Sequence, residues 1–222
     1  MTKFEFDYKY NEMHIAITGN IGAGKTTLSG ILARHYGWDV LVEAVEDNPY
    51  LKDFYADMGR WSFNLQIYFL NSRFEQVIQI RESGKSVIQD RTIYEDAYIF
   101  AKNLYDSELL SSRDYQTYRS LFDNMLALVR PPDLMIYLRA DLPKLVSQIH
   151  KRGRDFEQSI SETYLQNLNR YYEEFIQEYT DGNLLIIDVN ELDYANRPDD
   201  LQQVIAQVDA SLAQLEGVGT TR

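Results

Sequence analysis

His14-Ile15-Ala16-Ile17-Thr18-Gly19-Asn20-Ile21-Gly22-Ala23-Gly24-Lys25-Thr26 is the stretch from which the fold can be read. Its first five residues form an apolar run of strand length, and the eight from Gly19 to Thr26 fit the pattern G-x-x-x-x-G-K-T/S. Downstream, Leu28, Ile31, Leu32 and His35 recur at helical spacing. A strand that enters a glycine-rich turn and leaves as a helix aims backbone N–H groups at an anion. Lys25 has the reach to meet β- and γ-phosphates, and the Thr26 hydroxyl can ligate Mg²⁺. Gly19, Asn20, Ile21, Gly22, Ala23, Gly24, Lys25, Thr26 and Thr27 are therefore expected to hold a nucleotide's phosphate tail. The competing reading, a glycine-rich turn without a ligand, does not account for the strand and helix on either side.

Working outward, apolar runs that end in polar residues or glycine recur at 15–18, 40–43, 87–90, 134–138 and 184–189, with helical patterns between them. Alternation of this kind predicts an α/β fold with a central parallel sheet. Helix starts are marked by Thr92 with Glu95 and Ser159 with Glu162, both capping-box patterns, and by Asp141 with Pro143. The intervals between Glu43 and Val87 and between Asp90 and Leu134 each exceed one helix and are expected to hold extra helices roofing a substrate site. Residues 1–216 read as a single domain, and 217–222 as a flexible tail.

Composition narrows the function. The 222 residues, 45% of them hydrophobic, can build a sizeable core. The 34 acidic against 22 basic side chains leave a net charge of −12, which repels nucleic-acid backbones and anionic membranes over most of the surface. An anionic ligand must then meet a local basic pocket. With no cysteine there is neither a disulfide nor a thiolate metal site. Residues 1–12 lack the layout of a signal peptide, and no apolar run approaches membrane-spanning length, so a soluble cytoplasmic protein is expected, without a nucleic-acid or membrane partner.

In parallel α/β sheets ligands bind beyond the carboxyl ends of the strands, which singles out Glu43 and the pair Asp90-Arg91. Phosphoryl transfer needs a base for the acceptor hydroxyl and a partner for Mg²⁺. A carboxylate beside a guanidinium lets Asp90 hold the metal, directly or through water, while Arg91 clamps phosphoryl oxygens. Lys151-Arg152-Gly153-Arg154 fits a lid that closes over transferring phosphates, or a helix end carrying favourable cations. The stretch 61–73 reads as an apolar helix with Gln66 and Arg73 nearly two turns apart on one face. A Gln amide matches a nucleobase edge, and a buried Arg73 needs a carboxylate, for which Asp96 is the candidate. Phe69 and Phe100 offer faces for stacking.

On these residues the chain resembles the deoxyribonucleoside kinases of the deoxycytidine, deoxyguanosine and deoxyadenosine kinase type over nearly its whole length. The matching motifs are Gly19 to Thr26, Val42-Glu43, Arg60-Trp61-Ser62-Phe63 with Gln66 and Arg73, Asp90-Arg91-Thr92-Ile93-Tyr94-Glu95-Asp96, and Arg152-Gly153-Arg154-Asp155-Phe156-Glu157. The resemblance implies a P-loop kinase fold, a five-stranded parallel sheet ringed by helices. It also implies transfer of the ATP γ-phosphate to a deoxynucleoside 5′-hydroxyl, a need for Mg²⁺, and a homodimer. Carried over by matched position, Glu43 is the base, with Arg91 and Lys25 as catalytic partners, and Tyr55 and Glu157 hold the sugar 3′-hydroxyl. Gln66 reads the base, the Arg73–Asp96 pair completes that edge, Phe100 stacks on it, and Arg152 and Arg154 form the lid. Thr26 and Asp90 attend the metal. Members commonly show Glu-Arg-Ser where this chain has Asp90-Arg91-Thr92, and Gln148 stands at one lid-arginine position. The shorter Asp90 suits a water-mediated metal contact. The retained Arg73–Asp96 pair resembles purine or deoxycytidine kinases, and the Ile93-Tyr94-Glu95-Asp96 context resembles bacterial deoxyadenosine kinases, so deoxyadenosine is expected ahead of deoxyguanosine.

Two other functions fit a phosphate loop. A nucleotide-dependent switch should show D-x-x-G after a strand, and no Asp lies three residues before any of the eleven glycines. Asn190-Glu191-Leu192-Asp193 mimics N-K-x-D without its lysine and is expected to form a loop against the adenine of ATP. A nucleoside monophosphate kinase would need extra cations for its acceptor phosphate.

Overall fold

The computed structural model describes residues 12–42, 48–154, 157 and 160–219. In chain order the elements are β1 (His14–Thr18), α1 (Lys25–Tyr36), β2 (Asp39–Leu41), α2 (Leu51–Ala56), α3 (Met58–Ser83), β3 (Val87–Asp90) and α4 (Ile93–Glu95). A π-helical segment (Asp96–Ala101) then leads into α5 (Lys102–Asp106) and α6 (Ser112–Leu126). The remainder is β4 (Leu134–Arg139), α7 (Leu142–Arg152), α8 (Glu162–Glu178), β5 (Asn183–Asp188) and α9 (Pro198–Gly219). No helix among the described residues is long and apolar enough to cross a membrane.

All five strands are parallel, in the order β2-β3-β1-β4-β5. The central strand β1 is the apolar run of the phosphate-loop motif, and Ile15, Ala16 and Ile17 are fully buried, as expected where helices cover both faces of a sheet. Alternation along β4 sorts the two faces. Leu134, Ile136 and Leu138 join α1, α7 and α9 through Leu28, Leu145 and Val204. Met135 and Tyr137 face the opposite way, against Leu70 of α3, Tyr118 and Phe122 of α6, and Leu168 and Tyr172 of α8. A third cluster, built on Leu51, Phe54, Leu65, Leu104 and Leu110, seats α2.

Several boundaries differ from the sequence expectation for local reasons. Strand β2 begins and ends earlier than 40–43, at a solvent-exposed sheet edge; Glu43 lies outside the described residues. His35 is exposed, and Tyr36 is the residue of α1 that turns inward. Helix α8 opens at Ser161, whose extended backbone lets its hydroxyl accept from Tyr164 N at 3.1 Å; Ser159 is outside the described residues. Pro143 stands in the first turn of α7, as expected. Helix α9 continues through 217–219, the first half of the expected tail, and 220–222 are outside the described residues.

Candidate active site

The phosphate loop is shaped by glycines where no other residue fits. Gly22 has φ 87° and a Cβ there would lie 2.8 Å from the Leu145 carbonyl oxygen; Gly24 has φ 96° and a Cβ would collide with the Tyr194 hydroxyl. Asn20 ties the loop down. Its amide donates to Leu165 O at 2.9 Å and Asn169 Oδ1 at 2.6 Å, and its Oδ1 accepts from Ile21 N at 2.7 Å. Asn169 in turn donates to Ala140 O at 2.9 Å. Lys25 Nζ donates to Asn20 O at 3.0 Å, so the ammonium lies along the loop, and Thr26 and Thr27 follow it in the first turn of α1. That turn carries no acidic residue of its own, and a helix N-terminus of this kind suits an anion.

Parallel pairing brings the next group in. Ile17 of β1 is in register with Asp90 of β3, and Arg91 N donates to Ile17 O at 2.9 Å. Asp90 therefore ends beside the phosphate loop, where its Oδ2 accepts from Thr26 Oγ1 at 2.5 Å. Two hard oxygens held this close, under a loop shaped for phosphate, suit Mg²⁺, the observation on which a metal fit rests. Arg91 adopts φ 74°, unusual for a residue with a side chain. Its Nη1 donates to Tyr172 Oη at 2.7 Å and Glu95 Oε1 at 3.2 Å, and its guanidinium carbon lies 4.6 Å from the Phe100 ring centroid. Thr92 and Glu95 form the expected capping box, with Thr92 N donating to Glu95 Oε2 at 2.6 Å.

Helix α3 supplies the other end of the site. Ser62, Gln66 and Arg73 lie on one buried stripe. Arg73 finds its expected partner: Nε is 3.6 Å from Asp96 Oδ2, with both side chains almost wholly buried. Its Nη1 also donates to Asp90 O at 3.1 Å, which links this end to the phosphate end. Gln76 Nε2 donates to Val42 O at 2.8 Å, fastening α3 to the residue before Glu43. Gln66 Oε1 is buried with no hydrogen-bond partner among the described residues. Asp96 and Phe100 stand on the π-helical segment, whose wider turns are a recurrent feature of functional sites. Phe69 packs with the α2 cluster and meets Tyr68 edge-on at 6.2 Å; Tyr55 lies in the same cluster, 5.3 Å from Phe54.

The basic turn after α7 closes on one carboxylate. Arg152 Nη2 donates to Glu157 Oε2, and Arg154 Nη1 to Glu157 Oε1 at 3.4 Å. Helix α7 backs this turn against the phosphate loop through Leu145 and Ile149, which crowd Gly22. A cleft beside the loop is lined by Gly24, Thr27, Lys144 and Lys151 of α7, Asp193 and Tyr194. Lys144 Nζ donates to the Asn190 and Leu192 carbonyls at 3.1 and 3.0 Å, holding the 190–194 loop in place. Burial, aided by the charges of Asp193 and Asp90, pushes the Tyr194 phenol up, so it stays a neutral donor to Gly24 O at 3.2 Å. Burial also raises the Tyr164 phenol, opposed by Asn103 and the positive charge of Arg91.

Thus Lys25, Thr26, Asp90 and Arg91 gather at one end and Gln66, Arg73 and Asp96 at the other, with Phe100, on the same segment as Asp96, lying under the Arg91 guanidinium between them. Sequence reading did not single out Asn169 or Tyr172. Their trace is faint: both carry polar atoms on the stripe of α8 that includes Leu165 and Leu168.

A five-stranded parallel sheet with this phosphate loop, flanked by an acid and an arginine, defines a nucleotide-dependent phosphotransferase of P-loop fold. The Deoxynucleoside kinase family model matches residues 15–213, and the chain belongs to that family. A deoxyadenosine/deoxycytidine kinase of Bacillus subtilis (strain 168) is 39% identical over 196 residues, covering 87% of this chain and 90% of the relative. A deoxyadenosine kinase of Dictyostelium discoideum is 46% identical over 192 residues, covering 86% of this chain and 77% of the relative. The solved structure of deoxyadenosine kinase from M. mycoides with bound dATP superposes with a TM-score of 0.79 at 35% identity, covering 89% of this chain and 99% of that one. The chain is accordingly an ATP-dependent deoxynucleoside kinase.

Proposed function

We propose that this kinase phosphorylates purine deoxynucleosides at the 5′-hydroxyl, deoxyadenosine ahead of deoxyguanosine, in nucleotide salvage. The observation that carries the preference for an amino-bearing base is the buried Gln66 Oε1, which has no hydrogen-bond partner among the described residues. A buried acceptor calls for a donor, and the amide NH₂ beside it calls for an acceptor. Adenine presents that pair, an exocyclic NH₂ next to a ring nitrogen, as in bidentate amide recognition of its N6/N7 edge; cytosine presents it too, at N4 and N3, whereas guanine and thymine do not offer it in that form. The Dictyostelium discoideum relative is named a deoxyadenosine kinase and the Bacillus subtilis relative a deoxyadenosine/deoxycytidine kinase, which supports placing deoxyadenosine first.

The roles combine this geometry with the family pattern. Residues 19–27 cradle the ATP phosphates by their N–H groups, with Lys25 supplying charge. Thr26 and Asp90 hold Mg²⁺, which when bound neutralises charge on the phosphate oxygens. Arg91 clamps the transferring group, and Arg152 and Arg154 close over it. Glu43, assigned on the family pattern, accepts the 5′-hydroxyl proton. Tyr55 and Glu157 hold the sugar 3′-hydroxyl, the Arg73–Asp96 pair completes the base edge, and Phe100 stacks on the base. The 190–194 loop lies against the donor's adenine. A homodimer in the cytoplasm, working as one domain over 1–216, completes this reading.

Initial rates with ATP, Mg²⁺ and each of the four deoxynucleosides and their monophosphates test it. The expected order is deoxyadenosine first, deoxyguanosine second, and no transfer to monophosphates. A pyrimidine-first ranking would overturn the base assignment, and a full-rate Glu43→Gln variant would remove the assigned base, whose loss should cost on the order of 10²-fold in kcat.

A further inference from the structure

Beyond the residues expected to touch substrate, we infer that Tyr172 and Glu95 are positioning residues that hold the Arg91 guanidinium in its working orientation. The inference rests on the reading of Arg91 as the clamp on the transferring phosphoryl group.

Arg91 is over-determined. Its backbone sits at φ 74°, a region that disfavours side chains, and such residues persist where their surroundings hold them. Among those surroundings are the Glu95 carboxylate and the Tyr172 phenol, both at 0% exposure. Glu95 divides its two oxygens: Oε2 takes the Thr92 N–H at 2.6 Å and hydroxyl at 3.2 Å, closing the start of α4. Oε1 takes Arg91 Nη1 at 3.2 Å and the Tyr172 hydroxyl at 2.8 Å. Tyr172 Oη also accepts from the same Nη1 at 2.7 Å, so three groups close a ring of hydrogen bonds.

A cap needs Oε2 alone, so the Oε1 arrangement is not explained by helix initiation. What it does is take two of the directions open to a planar guanidinium and hold its central carbon over the Phe100 ring, 4.6 Å from the centroid. Tyr172 brings a second constraint, because it is carried by α8, three residues beyond Asn169. The Asn169 side-chain oxygen holds the Asn20 amide of the phosphate loop at 2.6 Å. One helix therefore sets the phosphate loop and the arginine at a common spacing, as in-line transfer requires.

The hydroxyl can be removed cleanly, because the Tyr172 ring is held independently, stacked on Tyr137 at 5.8 Å and 15°. Tyr172→Phe is expected to lower kcat roughly 10-fold with deoxynucleoside KM and the melting temperature nearly unchanged, the loss of a hydrogen bond to a charged group. In an Arg91→Ala background the same change should cost nothing further, since the group it positions is gone. A parental kcat for Tyr172→Phe, or an equal loss with and without Arg91, overturns the inference. If Tyr172→Phe does not fold, Glu95→Gln, which can still form the cap, is read against the same two criteria. The two readings separate on one variant: fully active Arg91→Ala would defeat the clamp itself. An impaired Arg91→Ala beside a parental Tyr172→Phe would defeat the positioning role alone.

Discussion

Thr26 Oγ1 donates to Asp90 Oδ2 at 2.5 Å, joining the helix that leaves the phosphate loop to the last residue of the neighbouring strand. The contact is a product of sheet register, since β1 and β3 pair in parallel with Ile17 opposite Asp90. Both oxygens are of the hard type that Mg²⁺ prefers. Asp90→Asn keeps the hydrogen bond and removes the charge. The Mg²⁺ concentration giving half-maximal rate should then rise by on the order of 10-fold. Deoxynucleoside binding without ATP, followed by calorimetry, should stay as in the parent. A superimposable Mg²⁺ titration would take Asp90 out of the metal site.

Gln66 offers the sharpest test of base recognition, because its buried Oε1 has no partner among the described residues. Gln66→Ala should weaken deoxynucleoside binding by about 1–3 kcal/mol and compress the ranking of the four bases. Gln66→Glu keeps an acceptor and loses the NH₂ donors, so it should penalise adenine's ring-nitrogen contact while sparing the exocyclic one. An unaltered order of kcat/KM in both variants is incompatible with a reading role.

Arg73 and Asp96 are 2% and 3% exposed at 3.6 Å, an ion pair out of reach of solvent screening. Asp96→Ala strands a buried guanidinium. Removing one partner of a buried pair costs about 3–5 kcal/mol, a fall in Tm of roughly 6–20 °C for a chain of this size. The lower end is expected, because Arg73 keeps its bonds to Asp90 O and Gln76 Oε1, both 3.1 Å. Replacing both residues, Arg73→Met with Asp96→Leu, should recover much of the stability without recovering base affinity. Parental melting of Asp96→Ala by calorimetry would mean that the pair is not the buried contact described.

Legibility in the sequence tracked how local the determinant was. The phosphate loop could be read outright, because Gly22 and Gly24 encode positive φ and the strand and helix beside them encode the context. Asp90 was legible as a strand end, and the Arg73–Asp96 pairing followed from the cost of burying a lone cation. Where two choices were locally equal, the wrong one was as good as the right one: Ser159 and Ser161 both suit a cap, and the extended backbone at Ser161 decides. Residues 217–222 read as a tail, yet the helical assignment of α9 runs to Gly219. The wide turn at Asp96–Ala101 has no sequence signature, and α3, α6 and α8 all pack on it. Tyr172 meets Arg91 from 81 positions away, a relationship that only the assembled sheet and helices create.

Glu157 is 5% exposed and receives both Arg152 and Arg154, so one carboxylate faces two duties, holding the basic turn and, in the proposed reading, the sugar 3′-hydroxyl. The duties separate by substrate. If Glu157 binds the 3′-hydroxyl, Glu157→Ala removes a charged hydrogen bond that a 2′-deoxynucleoside makes and a 2′,3′-dideoxynucleoside cannot. The kcat/KM for the former should fall roughly 10–100-fold while that for the latter changes little. If the carboxylate acts only by holding the arginines, both substrates lose the same factor. Glu157→Gln discriminates further, since its amide still meets a hydroxyl but no longer neutralises two guanidiniums. It should retain most of the preference for the 3′-hydroxyl and show altered ATP KM, because the arginines released from their ion pairs are those assigned to the donor phosphates. Equal losses on deoxy and dideoxy substrates in both variants would confine Glu157 to the basic turn.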